Sequence, residues 1–214
     1  MTKRIKAIAE FITPYKYIAD VGYDHGYLIL EAFEKYNIVH AQAIDNKKGP
    51  LESAYNNLKK YYDNITFSLS NGISDLERDI EVVIIAGMGG MLIINILKEN
   101  IEKLKNVKRI IVQPNRDIDK VRKFAISNGY KIVSEKIIEE ESIIYEIIVL
   151  EKGSTTLNEQ EIMFGPLLLK ERSPIFIKKW KKEYLRLKNI NTVKAQKKAK
   201  LINDTLLLEE INDS

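Results

Sequence analysis

Seven short runs rich in isoleucine and valine constrain this chain more than any other feature. They lie at residues 17–21, 39–44, 65–69, 82–86, 109–113, 131–136 and 143–150. The central runs are apolar on successive residues rather than alternate ones, as expected of strands covered on both faces. Helical patterns at residues 28–36, 50–61, 91–105 and 117–128 fall among them. Strand–helix alternation builds βαβ units and hence an open α/β sheet that is mostly parallel. Only residues 137–142 separate the last two runs. That connection is too short for a parallel crossover, so these two strands should pair antiparallel.

Composition narrows the chemistry. Hydrophobic residues make up 45% of the 214, enough for a packed core. With 0 cysteines, the chain has no disulfides, cysteine zinc sites, iron–sulfur clusters or thiol nucleophiles. Only His25 and His40 could supply imidazole, so no metal is expected. The first ten residues carry Lys3, Arg4, Lys6 and Glu10 without an apolar block, which is not a secretory signal. The longest uncharged run, residues 82–97, has 16 residues with Gly87, Gly89 and Gly90 among them. It is too short for a membrane span and reads as strand, turn and helix. A cytoplasmic, monomeric protein with no membrane association is expected.

The net charge of +4 is unevenly distributed. Residues 1–150 hold 21 basic and 21 acidic side chains; residues 170–200 hold 12 basic residues against Glu171 and Glu183 alone. The composition changes near Gly153-Ser154-Thr155-Thr156, a short linker. Two domains are therefore expected, residues 1–152 and 153–214. In the second, a helix over 159–172 is broken at Gly165-Pro166, and Ser173-Pro174 can open another. Ile177, Trp180, Tyr184 and Leu187 recur with heptad-type spacing, and Leu201 and Leu208 with Ile202, Leu206 and Ile211 supply a second stripe. These two helices should form a coiled-coil-like antiparallel hairpin. Its basic run is either a solvated face or a phosphate-binding surface.

Five constellations fall at strand ends, where open α/β sheets bind ligands. The first is Asp20-Val21-Gly22-Tyr23-Asp24-His25-Gly26 after the first strand. Asp24 and His25 occupy positions that a pyrophosphate would need free of side chains and charge. A cationic ligand, a sulfonium or an amine, suits the turn better, which favours S-adenosylmethionine over a dinucleotide. Asp45 ends the second strand 23 residues past Gly22, about where a carboxylate accepts from ribose hydroxyls. Asn71-Gly72 follows the third strand, where an amide could read the cofactor's adenine. Ala86-Gly87-Met88 after the fourth strand leaves space for two reactants. Gln113-Pro114-Asn115 after the fifth sets two amides where a base edge could be read. Each turn taken alone also has a structural reading, as a tight turn or a helix cap.

Together these pieces resemble the bacterial tRNA (adenine-22-N1)-methyltransferases, a class I, Rossmann-like family. The resemblance is carried by Ala19-Asp20-Val21-Gly22-Tyr23-Asp24-His25-Gly26-Tyr27-Leu28, Ile85-Ala86-Gly87-Met88-Gly89-Gly90, Gln113-Pro114-Asn115, Ile144-Tyr145-Glu146 and Phe164-Gly165-Pro166. Tyr23 stands where the family usually has Ser, and Gly26 where it often has Ala. The resemblance implies a seven-stranded, mostly parallel sheet with one reversed strand and a small C-terminal helical domain. It further implies methyl transfer from S-adenosylmethionine to N1 of an adenine in the D-arm region of tRNA. Asp20, Gly22, His25, Asp45, Asn71, Gly72, Ala86, Gly87 and Met88 would then bind the cofactor. Asp24 or Asn115 would accept from the adenine amino group. Arg4, Lys6, Gln113, Lys178, Lys179, Lys181, Lys182 and Arg186 would hold tRNA. The competing readings are a small-molecule methyltransferase, a nicotinamide oxidoreductase and a non-enzymatic RNA-binding adaptor.

Overall fold

A computed structural model describes residues 1–47 and 49–207. Contacts divide the chain into two units, Met1–Thr156 and Leu157–Ser214. The division falls just past the linker glycine at which the composition changes.

The first unit runs α1 (Lys3–Ala9), β1 (Tyr17–Val21), α2 (Tyr27–Tyr36), β2 (His40–Asp45), α3 (Gly49–Leu58), β3 (Ile65–Leu69), β4 (Val82–Met88), α4 (Gly90–Glu99), β5 (Arg109–Pro114), α5 (Ile118–Ser127), β6 (Tyr130–Glu140) and β7 (Ile143–Lys152). The seven strands lie in the order β3-β2-β1-β4-β5-β7-β6. Strand β7 is antiparallel to both of its neighbours, and the remaining pairs are parallel. The winding reverses between β1 and β4, which opens a crevice at their carboxyl ends.

The unbroken apolar runs follow from burial on two faces. Val83 and Ile85 of β4 pack with Ile93 and Leu97 of α4 and with Val121 and Ala125 of α5. Val82 and Ile84 face the other way, into a cluster with Ile8 of α1, Ile29 of α2, and Ala54 and Leu58 of α3. Each valine, leucine or isoleucine among them contributes about 1.5–3 kcal/mol on leaving water. Two expected helices are shorter than their patterns. The 50–61 pattern gives way to a 3-10 turn at Lys59–Asn64, and the 91–105 pattern to one at Ile101–Lys105.

Helix α1 has no counterpart among the sequence expectations. Seven residues are too few to hold a helix in water. Here the Thr2 hydroxyl accepts from Ile5 N (3.2 Å), and Ala7, Ile8 and Ala9 are buried. The β6–β7 turn also departs from its local sequence. Glu141 and Ser142 both adopt the left-handed region (φ +49° and +65°), as two-residue hairpin turns require, although neither is glycine. Extended pairing, from Tyr130 with Lys152 to Glu140 with Ile143, outweighs the local cost.

One buried polar cluster joins α5, β6 and β7. Arg122, fully buried, donates to Glu135 Oε1 at 2.8 Å and to Glu146 Oε2 at 2.5 Å. Burial alone would lower the guanidinium pKa; the two carboxylates more than offset this and raise it.

The second unit comprises α6 (Glu159–Phe164), α7 (Pro166–Glu171), α8 (Pro174–Leu187) and α9 (Val193–Leu206). The break at Gly165-Pro166 and the Ser173 cap (3.4 Å to Phe176 N) are as expected. Helices α8 and α9 run antiparallel. Lys198 reaches Glu183 at 2.7 Å, and Arg172 donates to the Thr205 carbonyl at 2.9 Å. The apolar seam differs from the expected one. On α8 it is Phe176, Trp180 and Leu187, while Ile177 and Tyr184 are only half-buried. On α9 it is Ala195, Ala199, Ile202 and Leu206, while Leu201 is half-buried. Alanines lie in the seam because Phe164, Phe176 and Trp180 already fill the interior; the Phe164 and Trp180 rings meet edge-on at 4.6 Å. Leu208 and Ile211 lie outside the described residues.

Candidate active site

The turn after β1 is shaped by two glycines. Gly22 (φ +77°) donates its N–H to the Ile44 carbonyl at 2.7 Å, which ties the turn to β2. A Cβ at Gly22 would lie 2.4 Å from Met88 Cε, so the turn and the end of β4 meet across the crevice. Gly26 (φ +70°) sits where a Cβ would come within 2.6 Å of Leu58 Cδ1. An alanine there would clash with this leucine. Between them, Asp24–Gly26 form a 3-10 turn in which His25 is left-handed and exposed. The side chain of Asp24 lies outside what the structure describes.

Carboxylates dominate this corner. Asp20 is buried at the end of β1, and Asp45 is half-buried at the end of β2, where its Oδ1 accepts from Lys47 N at 2.8 Å. Tyr23 is buried beside them. Burial, and then the negative charges of Asp45 and Asp20, push its phenol up to about 12. The phenol thus stays neutral at physiological pH and adds no further negative charge. Asn71 is exposed after β3, whereas Gly72 packs against Ile96 of α4 and has a packing role.

A polar network spans the ends of β4 and β5. Gln113 Oε1 accepts from Gly87 N (3.2 Å) and from Arg4 Nη1 (3.3 Å). Gln113 Nε2 donates to Asn115 Oδ1 (3.0 Å), and Asn115 Nδ2 donates to the Gly87 carbonyl (2.7 Å). The Asn115 N–H donates to the Met88 carbonyl at 2.8 Å. The guanidinium of Arg4 lies over the Tyr145 ring, 5.3 Å from its centroid. Gln113 is fully buried, so its amide serves to orient its neighbours. Asn115 is exposed at the end of this network.

Arg4 and Lys6 part company. Lys6 lines a groove with Met1, Lys35, Glu10, Glu31 and Glu34, in which basic and acidic groups alternate. In the second unit, Arg186 is held by Glu183 through two hydrogen bonds, at 2.8 and 2.9 Å. Lys179 and Lys198 lie over the Trp180 ring, at 5.0 and 5.8 Å from its centroid. Lys178 and Lys182 are exposed, and Lys181 is half-buried. Sequence reasoning missed Arg116, whose side chain is 82% exposed and whose Nε would lie 3.0 Å from a Cβ on Gly89. Its adjacency to Asn115 was the available signal.

The corner suits a cationic cofactor with a ribose. It offers buried Asp20, the Asp45 carboxylate and a glycine turn. Among the described residues, no cluster of three or more His, Asp or Glu could hold a metal, and no helix is long and apolar enough to cross a membrane.

Residues 18–212 match the family described as TrmK, tRNA (adenine(22)-N(1))-methyltransferase. The tRNA (adenine(22)-N(1))-methyltransferase of Bacillus subtilis (strain 168) is 30% identical over 231 residues, covering 100% of this chain and 97% of its own. Sp1610 of Streptococcus pneumoniae, solved in complex with S-adenosyl-L-methionine, is similar with a TM-score of 0.91. Its identity is 38%, over 96% of this chain and 99% of that one. M. capricolum TrmK, solved with S-adenosyl-homocysteine, is similar with a TM-score of 0.84 at 27% identity, over 99% and 98% of the two chains.

Proposed function

The chain belongs to the tRNA (adenine(22)-N(1))-methyltransferase family and methylates N1 of adenine 22 in tRNA from S-adenosylmethionine; we propose that the transfer takes place in the crevice between β1 and β4, beside Asn115. The observation that carries this placement is the pair of features facing each other across the crevice. On one side is the acidic glycine turn at Asp20–Gly22; on the other, the amide network ending in exposed Asn115.

S-adenosylmethionine supplies an electrophilic sulfonium methyl. Asp45 accepts from the ribose hydroxyls, Gly22 lets the backbone approach, and Asp20 and Asn71 complete the pocket. Adenine N1 has a free lone pair, so no base is needed before attack, and positioning dominates the catalysis. Attack leaves positive charge on the purine, shared with N6. The Asn115 carbonyl accepts from N6 and stabilises that charge. An adenine in a stem must leave its pair to reach this site, so the base is flipped.

Lys178, Lys179, Lys181 and Lys182 of α8 contact the tRNA backbone, and in the first unit Arg116, exposed next to Asn115, does the same. The protein acts in the cytoplasm as a monomer. The test is to incubate it with labelled methyl donor and a tRNA transcript and then to map the modified base, with Asp20→Ala as the blank. Label at N1 of adenine 22 is expected. Label at another base, or only on small molecules, would overturn the reading.

A further inference from the structure

Gln113 has only one workable amide orientation. The Gly87 N–H and an Arg4 Nη1 hydrogen converge on one side of it, at 3.2 and 3.3 Å. Two donors need an oxygen between them; an NH2 group there would face two hydrogens with no acceptor. Oε1 is thereby fixed, and Nε2 is directed at Asn115 Oδ1, 3.0 Å away. The constraint passes on to Asn115, whose Oδ1 receives that hydrogen while its Nδ2 donates to the Gly87 carbonyl at 2.7 Å. One Nδ2 hydrogen and one Oδ1 lone pair remain, on an exposed residue at the crevice.

An asparagine offering one donor and one acceptor matches N7 and N6–H of adenine. Such a pair uses the edge of the purine that does not include N1. Guanine carries an O6 acceptor in place of the N6 donor and does not fit.

We infer that Asn115 reads the target adenine through N6–H and N7, and that Arg4 is a positioning residue that fixes this reading through Gln113. The inference rests on the proposed placement of the adenine beside Asn115. It accounts for the choice of nitrogen. N6 is held as a donor and N7 as an acceptor, which leaves the N1 lone pair uncovered. In the step, N1 forms a bond to the methyl carbon, and the carbon–sulfur bond breaks with its electron pair going to sulfur. S-adenosylhomocysteine leaves and no proton moves. The N6–H bond to Asn115 strengthens as the ring gains charge. Arg4 reaches this place because α1 carries it there and the Tyr145 ring supports it, 5.3 Å from centroid to guanidinium.

The test compares ordinary tRNA with tRNA carrying 7-deazaadenosine at the target position, which lacks the N7 acceptor. For the unmodified enzyme, kcat/KM should fall about tenfold on the 7-deaza substrate. Asn115→Ala should be slow on both substrates, with their ratio close to one. Arg4→Met should shrink the ratio while calorimetric cofactor affinity stays unchanged, and Arg4→Lys should restore part of it. A merely structural defect would slow both substrates equally and leave the ratio intact. An unmodified enzyme indifferent to N7, with Asn115→Ala inactive, overturns the N7 reading but keeps the adenine beside Asn115. Asn115→Ala with full activity on ordinary tRNA overturns the placement itself. An unchanged ratio in Arg4→Met overturns the role of Arg4. The comparison with the unmodified enzyme needs no variant to fold.

Discussion

Replacing Arg122 with Met should destabilise the first unit more than an ordinary core substitution of similar size. The guanidinium is fully buried and bonds Glu135 at 2.8 Å and Glu146 at 2.5 Å. Its removal leaves two carboxylates in the interior without their counter-charge, a change that costs about 3–5 kcal/mol. For a protein of this size, each kcal/mol shifts the melting temperature by about 2–4 °C, so the variant should melt about 6–20 °C lower. Differential scanning calorimetry with urea titration at pH 7.5 measures both quantities. In Arg122→Met, the buried carboxylates favour protonation in the folded state. The deficit is therefore largest at high pH and narrows as pH falls toward 5. The triple variant Arg122→Met, Glu135→Leu, Glu146→Leu removes all three charges and should recover most of the loss. A single variant within about 1 kcal/mol of the parent, with the parent's pH dependence, would refute the reasoning.

Gly22→Ala forces a side chain into the left-handed region, 2.4 Å from Met88 Cε. Cofactor affinity by calorimetry should drop about tenfold, corresponding to about 1–2 kcal/mol of backbone strain; unchanged affinity would remove the turn from the pocket. Lys178→Glu with Lys182→Glu should weaken tRNA binding and flatten its dependence on salt by about 0.7–0.9 in slope per lost phosphate contact. Filter binding across a salt series reads both. Glu183 is held at about 2 by hydrogen bonds from Arg186 and Lys198, against the desolvation that opposes them. A carboxyl held below its ordinary value stabilises the fold above pH 4.5, and that contribution is lost as pH falls toward 2. Glu183→Gln should cost about 1 kcal/mol at neutral pH, since the pair is partly solvated, and should flatten the acid limb of the hairpin's unfolding followed by Trp180 fluorescence.

The sheet was legible because its information is local. A strand buried on both faces must be apolar at consecutive residues, and Val82–Ile85 show this without any knowledge of their partners. The antiparallel β7 followed from a loop too short to cross over. The acidic glycine turn and Asp45 were readable for the same reason, since strand ends in such sheets point to one edge. What the sequence did not carry depends on distant residues. Helix α1 is too short to exist without α2 beneath it. The seam of α9 passes through Ala195 and Ala199 because the rings opposite are large, and no periodicity in α9 itself records that. Arg122, Glu135 and Glu146 are ordinary surface-type residues until folding buries them together. Arg4 and Gln113 stand 109 positions apart. Only tertiary packing brings them within hydrogen-bonding distance, because the contacts that orient Asn115 lie between segments whose separation along the chain leaves no local pattern.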